Sequence, residues 1–255
     1  MIRALYVDVD GTLVGPGGDV LWGGSTRLVD ALLHCRRAGV AVVPVTGRGR
    51  VQVRELSRLL GLPRGIGELG CVHVEGPEVR YELGAFPFAG RTPVEAMDAE
   101  GAIALLLGSG GLEPHDPWNE GRVATFVLRG SADVAAANEA LARHGLPWCR
   151  LVDNGVLRRN GGTGAPGGKG QGALRAYHLA PAGTGKAEGV CIDRDHHGLA
   201  VEEVAYVGDA AADLACADQV GQCWLVANAD PALDWPLRTT AAYGEGVAEV
   251  VERLL

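Results

Sequence analysis

Residues 5–14 read "LYVDVDGTLV", an apolar run of β-formers that ends in two carboxylates one residue apart. Leu5, Tyr6, Val7 and Val9 have the continuous apolar character of a strand buried on both faces, as in a parallel sheet covered by helices. Asp8 and Asp10 fall where such a strand leaves its sheet, and Gly11-Thr12 breaks the extended pattern. The strand delivers two acids to a sheet edge.

Working outward, strand and helix alternate. A Gly-rich stretch (15–24) leads to Ser25, a residue with N-cap chemistry, ahead of a helix expected over 26–38. "VAVVPVT" (40–46) reads as a second buried strand, 47–61 as a helix closed by Gly61, and 71–83 as a hairpin around Gly76-Pro77. Residues 84–160 change character: helices over 96–111 and 130–145, strands over 122–130 and 148–157, and proline at the junctions suggest a separate small α/β module. The Gly-rich run 158–174 reads as a loop or linker rather than a phosphate loop. A core pattern then resumes, with strands at 175–180, 204–208 and 222–227 and helices at 186–197, 210–217 and 245–254. The fold expected is α/β: a doubly wound parallel sheet formed by 1–83 and 161–255, interrupted by an inserted module at 84–160.

Composition narrows the partners. The 255 residues are 47% hydrophobic, enough for a real core, and a net charge of −8 argues against a phosphate-backbone partner. Six scattered cysteines without a CxxC pair fit reduced, buried thiols. The chain runs straight into its first strand, and no stretch approaches membrane-spanning length without a charge or breaker. A soluble cytoplasmic monomer or homodimer is expected, acting on a small molecule rather than nucleic acid or membrane.

Ligands of open parallel sheets bind off the carboxyl ends of the strands. There this sequence places Asp8, Asp10, Gly11 and Thr12 after the first strand, Thr46-Gly47-Arg48 after the second, and Asp209 after 204–208 with Asp213 one helical turn on. Acids clustered so closely repel unless a cation neutralises them, and an oxygen-only set suits Mg²⁺. The chain has two lysines against 21 arginines. Lys169 falls in the Gly-rich run and is expected to face solvent. Lys186 stands between a strand and its following helix, 23 residues before Asp209. A lysine kept in an arginine-rich chain is suggestive, because an ammonium and a guanidinium fork are not interchangeable at a phosphate.

"DVDGTL" at 8–13, "VTGR" at 45–48, Lys186 and "GDAAAD" at 208–213 resemble, in order and spacing, the four motifs of the haloacid dehalogenase superfamily of phosphohydrolases. Insertion of the middle module between the second motif and Lys186 resembles the C2-capped, Cof-like branch, as do the endings "VANADP" and "YGEGVAEVVERL". The resemblance implies hydrolysis of a small phosphomonoester, a phosphorylated sugar or a sugar-derived compound, through an aspartyl-phosphate. It implies Asp8 as nucleophile and Asp10 as proton donor and then base. Mg²⁺ would be held by Asp8, the Asp10 carbonyl and Asp209, with Asp213 supporting them. Thr46, Gly47, Arg48, Gly11 and Lys186 would bind the phosphoryl group and substrate. Related activities are phosphomutase or phosphotransferase chemistry, disfavoured because the module's arginines form no cluster, and a non-catalytic binding role, disfavoured by retention of the whole acidic set.

Two positions depart from the branch: Ala212 and Leu69 stand where relatives often carry Asn. His196-His197 is expected to cap carbonyls or face water. The loop "EPHDPWNEGR" (113–122), with His115, Asp116, Trp118, Asn119, Glu120 and Arg122, reads as a surface loop, or more sharply as one that sets substrate choice.

Overall fold

The computed structural model describes residues 1–157 and 174–255. The linker expected at 158–174, with Lys169, therefore lies outside the described residues except for Leu174.

The chain folds into β1 (Ala4–Asp8), α1 (Arg27–Arg37), β2 (Ala41–Val45), α2 (Arg50–Leu60), β3 (Arg64–Gly67), β4 (Val72–Glu75) and β5 (Glu78–Tyr81). Next come α3 (Pro93–Ala99), α4 (Ala102–Gly108), β6 (Leu112–Pro114), β7 (Phe126–Gly130), α5 (Val134–Arg143), β8 (Cys149–Val156) and β9 (Arg175–Pro181). It closes with α6 (Lys186–His196), β10 (Val204–Gly208), α7 (Ala211–Leu214), β11 (Gln222–Leu225) and α8 (Tyr243–Leu254).

Seven strands make one sheet in the order β11-β10-β1-β2-β3-β4-β5. The first five are parallel, and the β4–β5 hairpin adds an antiparallel edge. Period-2 alternation splits β1 between two cores. Leu5 and Val7 pack with residues of α1 and α8, whereas Ala4 and Tyr6 pack with Val190 of α6 and Cys216 on the other face. The chain moves from β1 to β2 on one side and reaches β10 on the other, so β1 sits at the topological switch point where such sheets open a crevice.

A second, antiparallel sheet runs β6-β7-β9-β8. Its apolar face, including Leu128, Leu151, Tyr177 and Leu179, packs against Met97, Leu106 and Leu141 of α3, α4 and α5. The helix expected over 96–111 is two helices, broken where Gly101 takes φ 81°. One expectation is corrected outright. The strand at 175–180, assigned to the core sheet with all of 161–255, pairs instead with β7 and β8 in the second sheet. Tyr177 and Leu179 bury as well under three helices as they would in the core, and a strand's alternation does not name its neighbours. The chain leaves this sheet after Pro181 and meets the larger sheet again at Lys186.

Candidate active site

β1 ends at Asp8, and the next six residues fold back on themselves. The Leu13 amide donates to the Asp8 carbonyl at 3.1 Å, and the Val14 amide to the Val9 carbonyl at 2.9 Å. Strand alternation therefore stops at Asp8 and does not carry to Asp10. Asp8 turns into the protein and Asp10 turns out. Gly11, at φ 97°, closes the turn where any Cβ would collide with the Asp209 carboxylate. Asn228, from the "VANADP" ending, donates to the Gly11 carbonyl at 2.8 Å and accepts from the Tyr243 amide at 2.7 Å, tying this turn to the start of α8.

Inside, Lys186 Nζ donates to Asp8 Oδ1 at 2.6 Å and to Asp213 Oδ1 at 2.8 Å, and all three residues are buried. Asp213 is saturated. Its Oδ1 also accepts from the Tyr206 hydroxyl at 2.7 Å, and its Oδ2 from the amides of Asp209 and Ala210 at 3.1 and 3.0 Å. Burial pulls the Lys186 ammonium towards neutrality, but the carboxylates of Asp213 and Asp8 outweigh it and hold the group above its ordinary value. Burial pushes the Asp8 carboxyl well above the ordinary carboxylate range; Lys186 opposes this, and the neighbouring Asp213 and Asp209 add to it.

Asp8, Asp209 and Asp213 each offer a carboxylate oxygen within 4.8 Å of the others. An all-oxygen set fits a hard dication such as Mg²⁺. With both Asp213 oxygens already accepting hydrogen bonds, Asp8 and Asp209 are the residues able to turn oxygens towards a cation, and Asp213 orients Lys186 and the 209–210 backbone.

The second motif is placed beside this cluster. Thr46 is buried and its Oγ1 accepts from the Arg48 amide at 3.1 Å. The Arg48 guanidinium makes a two-point pair with Asp10, Nη2 to Oδ1 at 2.6 Å and Nε to Oδ2 at 2.9 Å. Asp10 stands at the rim with 59% of its side chain exposed.

The second sheet lies over these loops. Arg122, from the polar loop, donates to the Gly47 carbonyl at 2.7 Å and to Thr125 Oγ1 at 2.8 Å. His178 alternates with Tyr177 and Leu179, so it leaves the apolar face and points the other way. A Cβ on Gly47 would lie 2.9 Å from its Nε2 and 3.1 Å from Asn154 Nδ2. Glu68, fully buried, completes the contact: its Oε2 accepts from the amides of Ala124 and Thr125 at 3.0 and 2.8 Å. Glu68 and Leu69 hold left-handed φ of 47° and 56°. That conformation tolerates Asn better than Leu, which supplies a backbone reason for an Asn at position 69 in relatives. Sequence reasoning passed over His178, Glu68, Asn154 and Tyr206. His178 is a lone histidine in an apolar strand, and Glu68 shows its partners only once 124–125 are folded against it.

No protein-family model matches the chain. A phosphoglycolate phosphatase from Methanothermobacter thermautotrophicus is 29% identical over all of this chain and 99% of its own length. Another from Pyrobaculum aerophilum is 27% identical over 99% and 96%. The chain is thus similar to these two phosphatases along nearly its whole length. Solved structures that share the fold overlay nearly end to end. A Thermoplasma acidophilum protein aligns with a TM-score of 0.72 at 18% identity, covering 99% of this chain and 98% of its own. The sucrose-phosphatase of Synechocystis gives 0.67 at 17%, with the same coverage. All six cysteines are free, and no helix among the described residues is long and apolar enough to cross a membrane.

Proposed function

We propose that this chain is a Mg²⁺-dependent phosphatase of small phosphomonoesters with Asp8 as nucleophile. The observation that carries the reading is the buried Lys186 held between Asp8 and Asp213, with Asp209 alongside. Lys186 engages Asp8 through one oxygen, which leaves the other to attack phosphorus in line. A fixed, desolvated ammonium beside the nucleophile then stabilises charge on the equatorial phosphoryl oxygens, with the Thr46 hydroxyl and Gly47 amide on the other side. Asp8, Asp209 and the Asp10 carbonyl would hold Mg²⁺, which would supply further neutralisation of that charge when bound. Asp10, released from Arg48, protonates the leaving oxygen and later takes the proton of the attacking water.

The second sheet with α3, α4 and α5 acts as a cap of the Cof-like kind, and its polar face, with His178, Asn154 and Arg122, selects the leaving group. Full-length relatives named as phosphoglycolate phosphatases favour a small phosphate bearing a carboxylate, so 2-phosphoglycolate leads the substrates to test, ahead of the sugar phosphates expected from the motifs. Release of inorganic phosphate from a phosphomonoester panel with Mg²⁺, without an acceptor, checks hydrolysis against transfer.

Asp8→Asn should abolish release from every ester. A carboxyl raised above its unfolded value contributes stability below the unfolded value of 3.8 that is lost as pH rises through the folded one. At neutral pH the metal-free wild type therefore carries a cost that Asn lacks. Its Tm in chelator should be at or below that of Asp8→Asn. Turnover retained in a folded Asp8→Asn protein would remove Asp8 as the nucleophile.

A further inference from the structure

Far from the catalytic cluster, the last turn of α6 meets the β4–β5 hairpin. His196 and His197 end the helix, and Glu75 ends β4. One ligand atom from each lies within 4.8 Å of the others. The His197 Nε2 atom is buried and makes no hydrogen bond. It stands 3.7 Å from Glu75 Oε2 and 3.6 Å from Asp193 Oδ1. Those separations are too long for hydrogen bonds. They are close to the spacing of two ligands on one tetrahedral ion, about 3.4 Å for bonds of 2.0–2.1 Å.

The geometry points to a second cation site, taking a borderline transition-metal dication such as Zn²⁺ on Glu75, His196 and His197. Two imidazoles and one carboxylate are a zinc-type donor set, whereas Mg²⁺ prefers oxygen and keeps its water. His197 is suited to ligation because its Nε2 is buried, makes no hydrogen bond and faces two carboxylates. Arg64 is itself engaged: its Nε donates to Asp193 at 2.9 Å, and the Tyr6 hydroxyl donates to the same oxygen. Asp193 therefore supports the site as a charged neighbour with one lightly used oxygen. His196 is exposed, so its ring can swing inward to close the set, and solvent can take the fourth position.

The site is separate from the catalytic one. Ten helical residues at 1.5 Å each put His196 about 15 Å along α6 from Lys186. A cation there clamps the far end of that helix to the edge of the sheet.

The test is calorimetric titration of the full chain with ZnCl₂ in saturating Mg²⁺, which keeps the catalytic acids occupied. Wild type should bind one Zn²⁺ and gain about 3 °C or more in Tm. His196→Ala and Glu75→Gln should each weaken that binding about tenfold or more, keep Mg²⁺-dependent turnover and lose the Tm gain. Asp209→Asn should keep both the binding and the gain, which separates this site from the catalytic cluster even if the proposed activity fails. Co²⁺ in place of Zn²⁺ should give a visible d–d band in wild type that His196→Ala lacks. Identical Zn²⁺ binding by wild type and His196→Ala, or no Zn²⁺ bound once Mg²⁺ is saturating, overturns the proposal.

Discussion

At the scale of the residue, His178 shows how a side chain that an apolar strand hides from a reader of sequence becomes conspicuous once its neighbours are known. It is buried between the second sheet and Gly47, with Thr125 Oγ1 3.3 Å from its Nδ1. Burial, then Arg122, Lys186 and His115, pushes its proton affinity well below the ordinary 6.5. A folded value below the unfolded one means that the stability is fully present above pH 6.5 and is lost as pH falls towards the folded value. Wild-type denaturation midpoints in urea should fall between pH 7 and 5.5. His178→Gln should flatten that fall, by at most about 1.4 kcal/mol per pH unit. Burial lowers His73 and His197 too, so the slope is reduced rather than removed. Identical pH profiles for the two proteins would show that His178 is not held neutral.

At the scale of the element, α6 is tied down near both ends. Lys186 anchors its first residue to Asp8 and Asp213, and Asp193 anchors its last turns to Tyr6 and Arg64. The Arg64–Asp193 pair is almost wholly buried, with 8% and 3% of the side chains exposed. Removing one partner of such a pair strands the other charge. Asp193→Leu and Arg64→Leu should therefore each cost about 3–5 kcal/mol, whereas the double variant should cost less than either single change. Chemical denaturation of the three variants measures this, and a double variant as unstable as the sum of the singles would contradict it. Helices and strands of this kind are readable because apolar periodicity is local: β1, β2, β10 and the start of α6 all fall where the residues place them. Partners are not readable the same way. The 175–181 segment carries a strand pattern with no mark of its sheet, β3 is too short and glycine-rich to show a period, and Glu68 is an ordinary surface residue type until Ala124 and Thr125 bring their amides to it. The motif acids were legible because their chemistry is local too; the orientation of Asp10 was not, because it depends on where β1 stops.

At the scale of the whole molecule, two polar straps hold the second sheet to the catalytic loops: Arg122 to the Gly47 carbonyl, and Glu68 to 124–125. On the proposed mechanism, water exclusion over Asp8 and the exchange of Asp10 from Arg48 to a leaving oxygen would both depend on that contact. Arg122→Ala should lower kcat/KM for the best small ester about tenfold or more while changing hydrolysis of p-nitrophenyl phosphate far less, since an aryl leaving group needs little protonation. Equal losses on both esters would mean that Arg122 only stabilises the fold.

The passage from β9 to α6 takes only residues 182–185, so the second sheet and Lys186 share one short leash. Four extended residues reach about 14 Å at most. The Ala182 amide is already spent on the Trp148 carbonyl, and the Thr184 carbonyl accepts from Arg150 at 2.6 Å, so part of that slack is taken up. The jaws can gape at this corner only as far as the leash allows before Lys186 is dragged from between its two acids. A free metabolite can slip in and out of such an aperture. On the proposed activity, so short a tie favours a free phosphometabolite over a phosphate displayed on the face of a folded macromolecule, and phosphate release from a phosphoprotein should be far slower than from a small ester.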